Sequence, residues 1–224
     1  MSAPDGRDGV ADLLRQLCRT LTTDLAVAGV AVNLMSTAGS EGVVAASDDR
    51  SRDVDELQFA TGEGPCHDAY ASRRPVLTPD LRSVGHGRWP AYTSTAIESG
   101  LAGVFAFPLH VGAVVLGVMD VYIDQPGSLS HEQVAAALTT VELATEILLD
   151  GDPVSASGRL DRDLSTVLDH RVEIYQAQGM VVVDLDVDLA VTLARMRAHA
   201  FGNEIPLIDL ARDIIGGFAL PMDA

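Results

Sequence analysis

Apolar residues at Leu13, Leu14, Leu17, Cys18, Leu21, Leu25 and Ala28 recur in steps of three and four. That is the period of a helix with one buried face. The spacing predicts a helix over Val10–Ala28, ended by Gly29, with Cys18 as a packed core thiol. GVAVNLMS then reads as a strand, and GVVAAS (42–47) as a second one after the AGSEG turn. Residues 48–56 read as a charged loop and LQF (57–59) as a short strand. A short helix is predicted from Gly64 to about Ser72, and a short strand at Pro75–Thr78. Residues 79–90 read as a loop rich in Gly and Pro, followed by a helix over 90–99.

Residues 102–123, AGVFAFPLHVGAVVLGVMDVYI, are long and apolar enough to be weighed as a membrane span. Pro108, His110 and Gly112 interrupt the run, and Asp120 lies inside it. The β-branched and aromatic content on both sides of PLHVGA predicts two buried strands, 101–109 and 113–124, joined by a tight turn. Ser130 with Gln133 three residues later forms a capping box that opens a helix running to about Leu149. The order of helix, two strands, small insertions, two strands and helix predicts an α+β domain over 10–149, built on an antiparallel sheet.

DGDPVSASG (150–158) has almost nothing to bury and reads as a linker. Beyond it, Leu160, Leu164, Val167, Arg171, Ile174, Gln178, Val181 and Leu185 follow a heptad-like alternation of four and three. Both a dimeric coiled coil and one long helix packed on its own domain satisfy that seam. Leu189, Leu193, Met196 and Ala200 form one further stripe. Leu207, Leu210, Ala211, Ile214 and Phe218 form another, closing at Gly216–Gly217. Residues 159–220 are thus predicted to be an all-α three-helix bundle with a long, coiled-coil-like first helix.

Charge narrows the function. The chain has 224 residues and a formal net charge of −17, and its 15 basic residues are all Arg. Residues 1–150 carry 20 acids against 9 Arg, and residues 151–224 carry 12 against 6. Neither part has the basic balance of a generic nucleic-acid binder, and the charge opposes docking on an anionic membrane. The two cysteines make neither a disulfide framework nor a zinc site by spacing, and MSAPDGRDGV is not a secretory signal. The expectation is a cytoplasmic, reduced protein with no metal and no cofactor.

Candidate chemistry is sparse. Cys66 and His67 are adjacent, so on a helix they point about 100° apart and do not form a dyad. Cys66 falls in a predicted first turn, where free N–H groups and the helix dipole favour a thiolate. It reads either as a reactive or ligand-touching thiol, or as a small residue filling a helix–sheet junction. HGRWPAY offers Arg88, Trp89 and Tyr92 as pocket residues or as a clamp on the sheet. Asp120 and Tyr122 share one strand face; a carboxylate there needs a partner or a cavity, and Arg88 is a candidate partner. Nucleotide-binding, hydrolase and zinc-protease motifs do not occur, which makes an enzyme the weaker class. In the C-terminal bundle Arg195, Arg197, His199 and Arg212 are the candidate phosphate contacts, against a reading as a solvated helix face.

LQFATGEGPCHDAY, RPVLTPDL, RWPAY, VFAFPL and VGAVVLGVMDVY carry a resemblance, over 57–149, to a GAF domain of the type common in actinobacterial regulators. IYQAQGMVVVDLDVDLAVTLARMRAHAF and PLIDLARDIIGGF make 163–220 similar to an ANTAR domain. The resemblance implies a sensor for a small-molecule or redox signal, with Cys66, Arg88, Trp89, Tyr92, Asp120 and Tyr122 as its ligand-site candidates. It also implies a homodimer that binds paired RNA stem-loops and prevents a transcription terminator from forming. Ala177, Gly179 and Met180 match the start of the ANTAR signature; Leu193, Arg197 and Ala200 match its second helix, and Ala211 its third. Departures are Gln178 where many relatives have Lys, Ile208 in place of a polar capping residue, and a tail, GGFALPMDA, that is not basic. Gln178, Arg195, Arg197, His199 and Arg212 are the expected RNA contacts. The alternative is a ligand-binding or protein-interaction regulator that has lost RNA binding.

Overall fold

The computed structural model describes residues 9–36, 39–150, 172–185 and 187–220. The chain runs through α1 (Val10–Leu25), β1 (Gly29–Ser36), β2 (Gly39–Ala46), α2 (Asp49–Thr61), α3 (Pro65–Ser72) and β3 (Val76–Thr78). It continues through α4 (Leu81–Arg88), α5 (Pro90–Glu98), β4 (Gly103–Val111), β5 (Val114–Ile123) and α6 (His131–Asp150). The helical segment α7 (172–185), α8 (Leu189–Gly202) and α9 (Leu207–Ile215) close it.

The five strands form one sheet in the order β2-β1-β5-β4-β3, and every neighbouring pair is antiparallel. The 102–123 run is the β4–β5 hairpin, turned at Gly112 with φ 58°. None of the described helices is long and apolar enough to cross a membrane.

Strand alternation sorts the sheet into two faces. Val30, Val32, Phe105, Phe107, Leu109, Met119 and Val121 pack with Leu14, Cys18, Leu21 and Leu25 of α1 and Ala137, Val141 and Ala144 of α6. The capping box forms as expected: the Gln133 amide N–H donates to Ser130 Oγ at 3.1 Å, and the Ser130 N–H to Gln133 Oε1 at 2.8 Å. On the other face lie α2 to α5, packed through Val54, Leu81, Trp89, Tyr92 and Ala96 against Ala31, Val43, Val104 and Tyr122.

Two expectations are corrected here. Residues 48–59, read as a loop and a short strand, are mostly the helix α2. Its N-cap Asp48 accepts from the Ser51 N–H at 2.9 Å, and Gly62 ends it in the left-handed conformation at φ 72°. The helix escaped because its inward side is largely polar: Ser51, Asp55 and Gln58 are buried alongside Val54 and Phe59. The supposed loop over 79–90 contains α4, whose N-cap Asp80 accepts from the Arg82 N–H at 3.0 Å.

Helices α7, α8 and α9 share their own core, with Ile174, Ala177 and Val181 against Leu193, Met196, Ala200, Leu207, Leu210, Ala211 and Ile214. The seam residues Ile174, Val181 and Leu185 are thus used inside this unit. Leu160, Leu164, Val167, Arg171 and the 151–158 part of the linker lie outside the described residues. Phe59 of α2 joins the same core and ties the bundle to the sheet domain.

Candidate functional site

The floor of the site is a patch of sheet with one carboxylate between two small side chains. On β5, Asp120 is in register with Ala31 of β1 and Ala106 of β4. Those methyl groups leave room above the carboxyl. Asn33, two residues along β1 from Ala31, and Tyr122, two along β5 from Asp120, share that face. Asn33, Asp120 and Tyr122 are all buried.

The roof comes from three helices. Gln58 of α2 reaches across 62 residues of sequence, and its Nε2 donates to Asp120 at 2.9 Å and to Asp55 at 2.9 Å. Asn33 Nδ2 donates to the other Asp55 oxygen at 2.5 Å and lies 3.8 Å from Cys66 Sγ. Gln58 Oε1 accepts from the Cys66 backbone N–H at 2.7 Å. Cys66 Sγ is 3.7 Å from Met35 Sδ. Tyr92 of α5 is fully buried nearby, and its hydroxyl and that of Tyr122 have no hydrogen-bond partner.

Two carboxyls buried together cannot both be freely ionised. Burial pushes the Asp120 pKa well above the usual carboxylate range, and the charge of Asp55 adds to the rise. Burial raises Asp55 to about 6, opposed by hydrogen bonds from Asn33, Asp120 and Gln58. The pair thus favours holding a proton that two exposed carboxylates would release. Tyr92 and Tyr122 are pushed well above the ordinary phenol range, by burial first and then by the neighbouring acids. One oxygen each from Asp55 and Asp120 and the Cys66 sulfur lie within 4.8 Å of one another, the donor set of a small cation site.

The GEGPCHD stretch holds these helices in register. Glu63 Oε1 accepts from the Ala91 N–H at 2.5 Å and the Tyr92 N–H at 3.0 Å, capping α5. Gly64 sits at φ 142°, and a Cβ there would stand 2.4 Å from Gln58 Oε1, so a side chain would displace the glutamine. Pro65 is the first residue of α3. Asp68 Oδ2 accepts from Arg88 at 2.6 Å and from Trp89 Nε1 at 3.2 Å.

Several sequence-predicted positions are now placed. Arg88 pairs with Asp68 and covers the Trp89 ring at 4.3 Å; the suggested Arg88–Asp120 pair is corrected, since the donor to Asp120 is Gln58. Trp89 is packed in the core, clamping the loop on the sheet. Cys66 is 1% exposed and packs with Met35, Ala69, Ala106 and Val118. It fills the helix–sheet junction and also touches the polar cluster. His67 is half-buried, with Nε2 2.8 Å from the Gln58 carbonyl oxygen. Cys66, Tyr92, Asp120 and Tyr122 are brought together; Arg88 and Trp89 stand apart, at Asp68.

Sequence reasoning missed Asn33, Asp55 and Gln58. The signal for the helical pair was their spacing: Ser51, Asp55 and Gln58 step by four and three. That is the helical period, written in polar residues.

The C-terminal candidates have different surroundings. Gln178 is buried, and its Nε2 donates to the Leu189 carbonyl at 2.6 Å. Arg197 lies 5.1 Å over the Phe59 ring and packs against Gly62, in a junction groove of about 290 Å³ lined also by Thr61, Ala91, Ala194, Ala198 and Phe201. His199 is half-buried, with its ring centroid 5.7 Å from that of Phe218. Arg195 is half-buried on α8. Arg212 is exposed and pairs with Glu173 at 2.7 Å and Asp209 at 3.4 Å.

A family model described as GAF domain matches residues 8–148. No curated protein sequence matches this chain. Among solved structures, the GAF domain of a phosphoenolpyruvate-protein phosphotransferase from Coxiella burnetii is similar at TM-score 0.55 and 16% identity, covering 68% of this chain and 89% of that one. The GAF domain region of a membrane protein from Geobacter sulfurreducens PCA gives TM-score 0.52 at 12% identity, covering 62% and 93%. A domain of a two-component sensor histidine kinase protein from Sinorhizobium meliloti 1021 gives 0.51 at 15%, covering 62% and 90%. At these identities the likeness establishes the fold.

Proposed function

This chain belongs to the GAF domain family, and we propose that it is a cytoplasmic regulator whose GAF domain controls an ANTAR-like, RNA-binding unit. Membership in the family implies ligand or signal sensing. On our reading the signal acts at the buried cluster, and the output is binding of RNA stem-loops by a homodimer in transcription antitermination. No residue is assigned a catalytic role.

One observation carries the reading: α2 is two-sided. Asp55 and Gln58 enter the polar cluster, while Phe59 enters the core of the helical unit and lies beneath Arg197. A change in charge or occupancy at the cluster therefore acts on the helix that docks α8. The signal needs to favour one docking geometry over another, which is a population shift. Arg197 is held against the sensor in this arrangement, so its use on RNA requires α8 to move from α2.

The test is titration of the purified full chain with a two-stem-loop RNA over a salt series. Phosphate-driven binding weakens as salt rises, and Arg195→Ala lowers affinity. A folded protein that binds no such RNA at low salt rejects the RNA output.

A second reading, a protein-interaction regulator that has lost RNA binding, is favoured by the acids around the predicted contacts. Arg212 is already engaged by Glu173 and Asp209, and residues 151–224 carry 12 acids against 6 Arg. It predicts no RNA binding in the same titration.

A further inference from the structure

The cluster on the inner sheet face gathers three side chains of metal-ligating type. Asp55, Cys66 and Asp120 each offer a ligand atom, all three are buried, and the atoms lie within 4.8 Å of one another. Among the described residues, the neutral amides of Asn33 and Gln58 donate to the two carboxyls. Buried anions need protons or a cation close by. A second observation points to a ligand at the same place. The hydroxyls of Tyr92 and Tyr122 are fully buried and unpartnered, although buried polar groups are normally paired. Tyr122 rises from the same strand face as Asp120.

We propose that Asp55, Asp120 and Cys66 bind one divalent cation of the zinc class. The donor set selects the ion. Magnesium and calcium take all-oxygen sites, whereas a thiolate with carboxylates suits a borderline ion. Three protein ligands leave a fourth, exchangeable position on a tetrahedral ion. Binding a dication through two carboxylates and a thiolate displaces whatever protons those ligands hold, so uptake is linked to pH. The inference stands on the cluster alone, so a failure of RNA binding leaves it untouched.

The experiment uses the full chain stripped with a chelator and then exposed to Zn²⁺ or Co²⁺. Elemental analysis after dialysis is expected to find one Zn²⁺ per chain, with proton release on binding. Co²⁺ is expected to give a near-ultraviolet thiolate-to-cobalt charge-transfer band. Cys66→Ser abolishes that band and weakens Zn²⁺ binding by more than about tenfold, while Cys18→Ser leaves both unchanged. Asp120→Asn, similar in size and checked for folding by circular dichroism, also loses tight Zn²⁺ binding. Substoichiometric zinc, a band that survives Cys66→Ser, or unchanged zinc affinity in folded Asp120→Asn overturns the proposal.

Discussion

The two faces of the sheet are built from the same strands and differ in their polar content. Against α1 and α6 the sheet presents hydrocarbon, from Val30 and Phe105 to Met119 and Val121. Against α2 to α5 it presents Asn33, Asp120 and Tyr122, met by Asp55, Gln58, Cys66 and Tyr92. One cysteine lies on each side, and each is 1% exposed. The first face stabilises by area removed from water. The second contributes less per residue, since each polar group must recover the hydrogen bonds it had in water. A buried face that gives up stability in this way is the one to examine for function.

The largest effect should come from emptying the hydrocarbon face. Phe107→Ala removes a side chain that is 1% exposed and in register with Met119. A loss of about 3–5 kcal/mol is expected from such a truncation, read from urea unfolding. A loss under about 1 kcal/mol would deny this face its structural role.

On the polar face, Gln58→Leu keeps bulk and removes the bridge. Asp55, Asp120 and the Cys66 N–H each lose a partner, which is expected to cost roughly 2–3 kcal/mol. The same measurement, run without metal, checks it. A neutral result would mean that the bridge is replaced by other donors.

The third test is pH. Asp55 and Asp120 have folded pKa values above their ordinary ones, so the native state binds more protons than the unfolded state once pH exceeds about 4. Metal-free stability therefore falls as pH rises from about 4 through about 6, the Asp55 value, and the raised Asp120 carboxyl adds to the fall. Asp120→Asn removes the second proton requirement. It should be more stable than the parent near neutral pH by on the order of 1–2 kcal/mol, with the advantage growing as pH rises. Denaturant midpoints between pH 4 and 8 decide this, and a parallel pair of curves would reject the retained proton.

How much of this was legible depended on whether buried residues were apolar. The first helix, the β4–β5 hairpin and the helices of the C-terminal unit announced themselves because their inward positions are hydrocarbon. The capping box at Ser130 was legible because it is local. Asp120 stood out as a carboxylate in an apolar strand. Its partner did not, because Gln58 lies on a helix whose inward positions are mostly polar, and apolar periodicity is blind to such a helix. In the bundle, spacing gave the stripes but not the directions of Gln178 and Arg197. Those are set by the Leu189 carbonyl and by Phe59, contacts that only the folded arrangement creates.

The smallest test separates the two cysteines. Burial pushes the Cys18 thiol up to about 12, so it behaves as a core hydrophobe. Its neighbours Leu14, Leu21 and Leu25 offer a hydroxyl nothing but hydrocarbon beyond its own helix backbone. Cys66 has the Asn33 amide and the acids beside it. Cys18→Ser is therefore expected to cost more than Cys66→Ser, by roughly 1 kcal/mol, because only the second hydroxyl finds partners already in place. Denaturant midpoints of the two metal-free variants measure the difference. Equal costs would show that the polar side recognises sulfur by shape, as the hydrocarbon side does, and that its amides are committed wholly to the carboxyls.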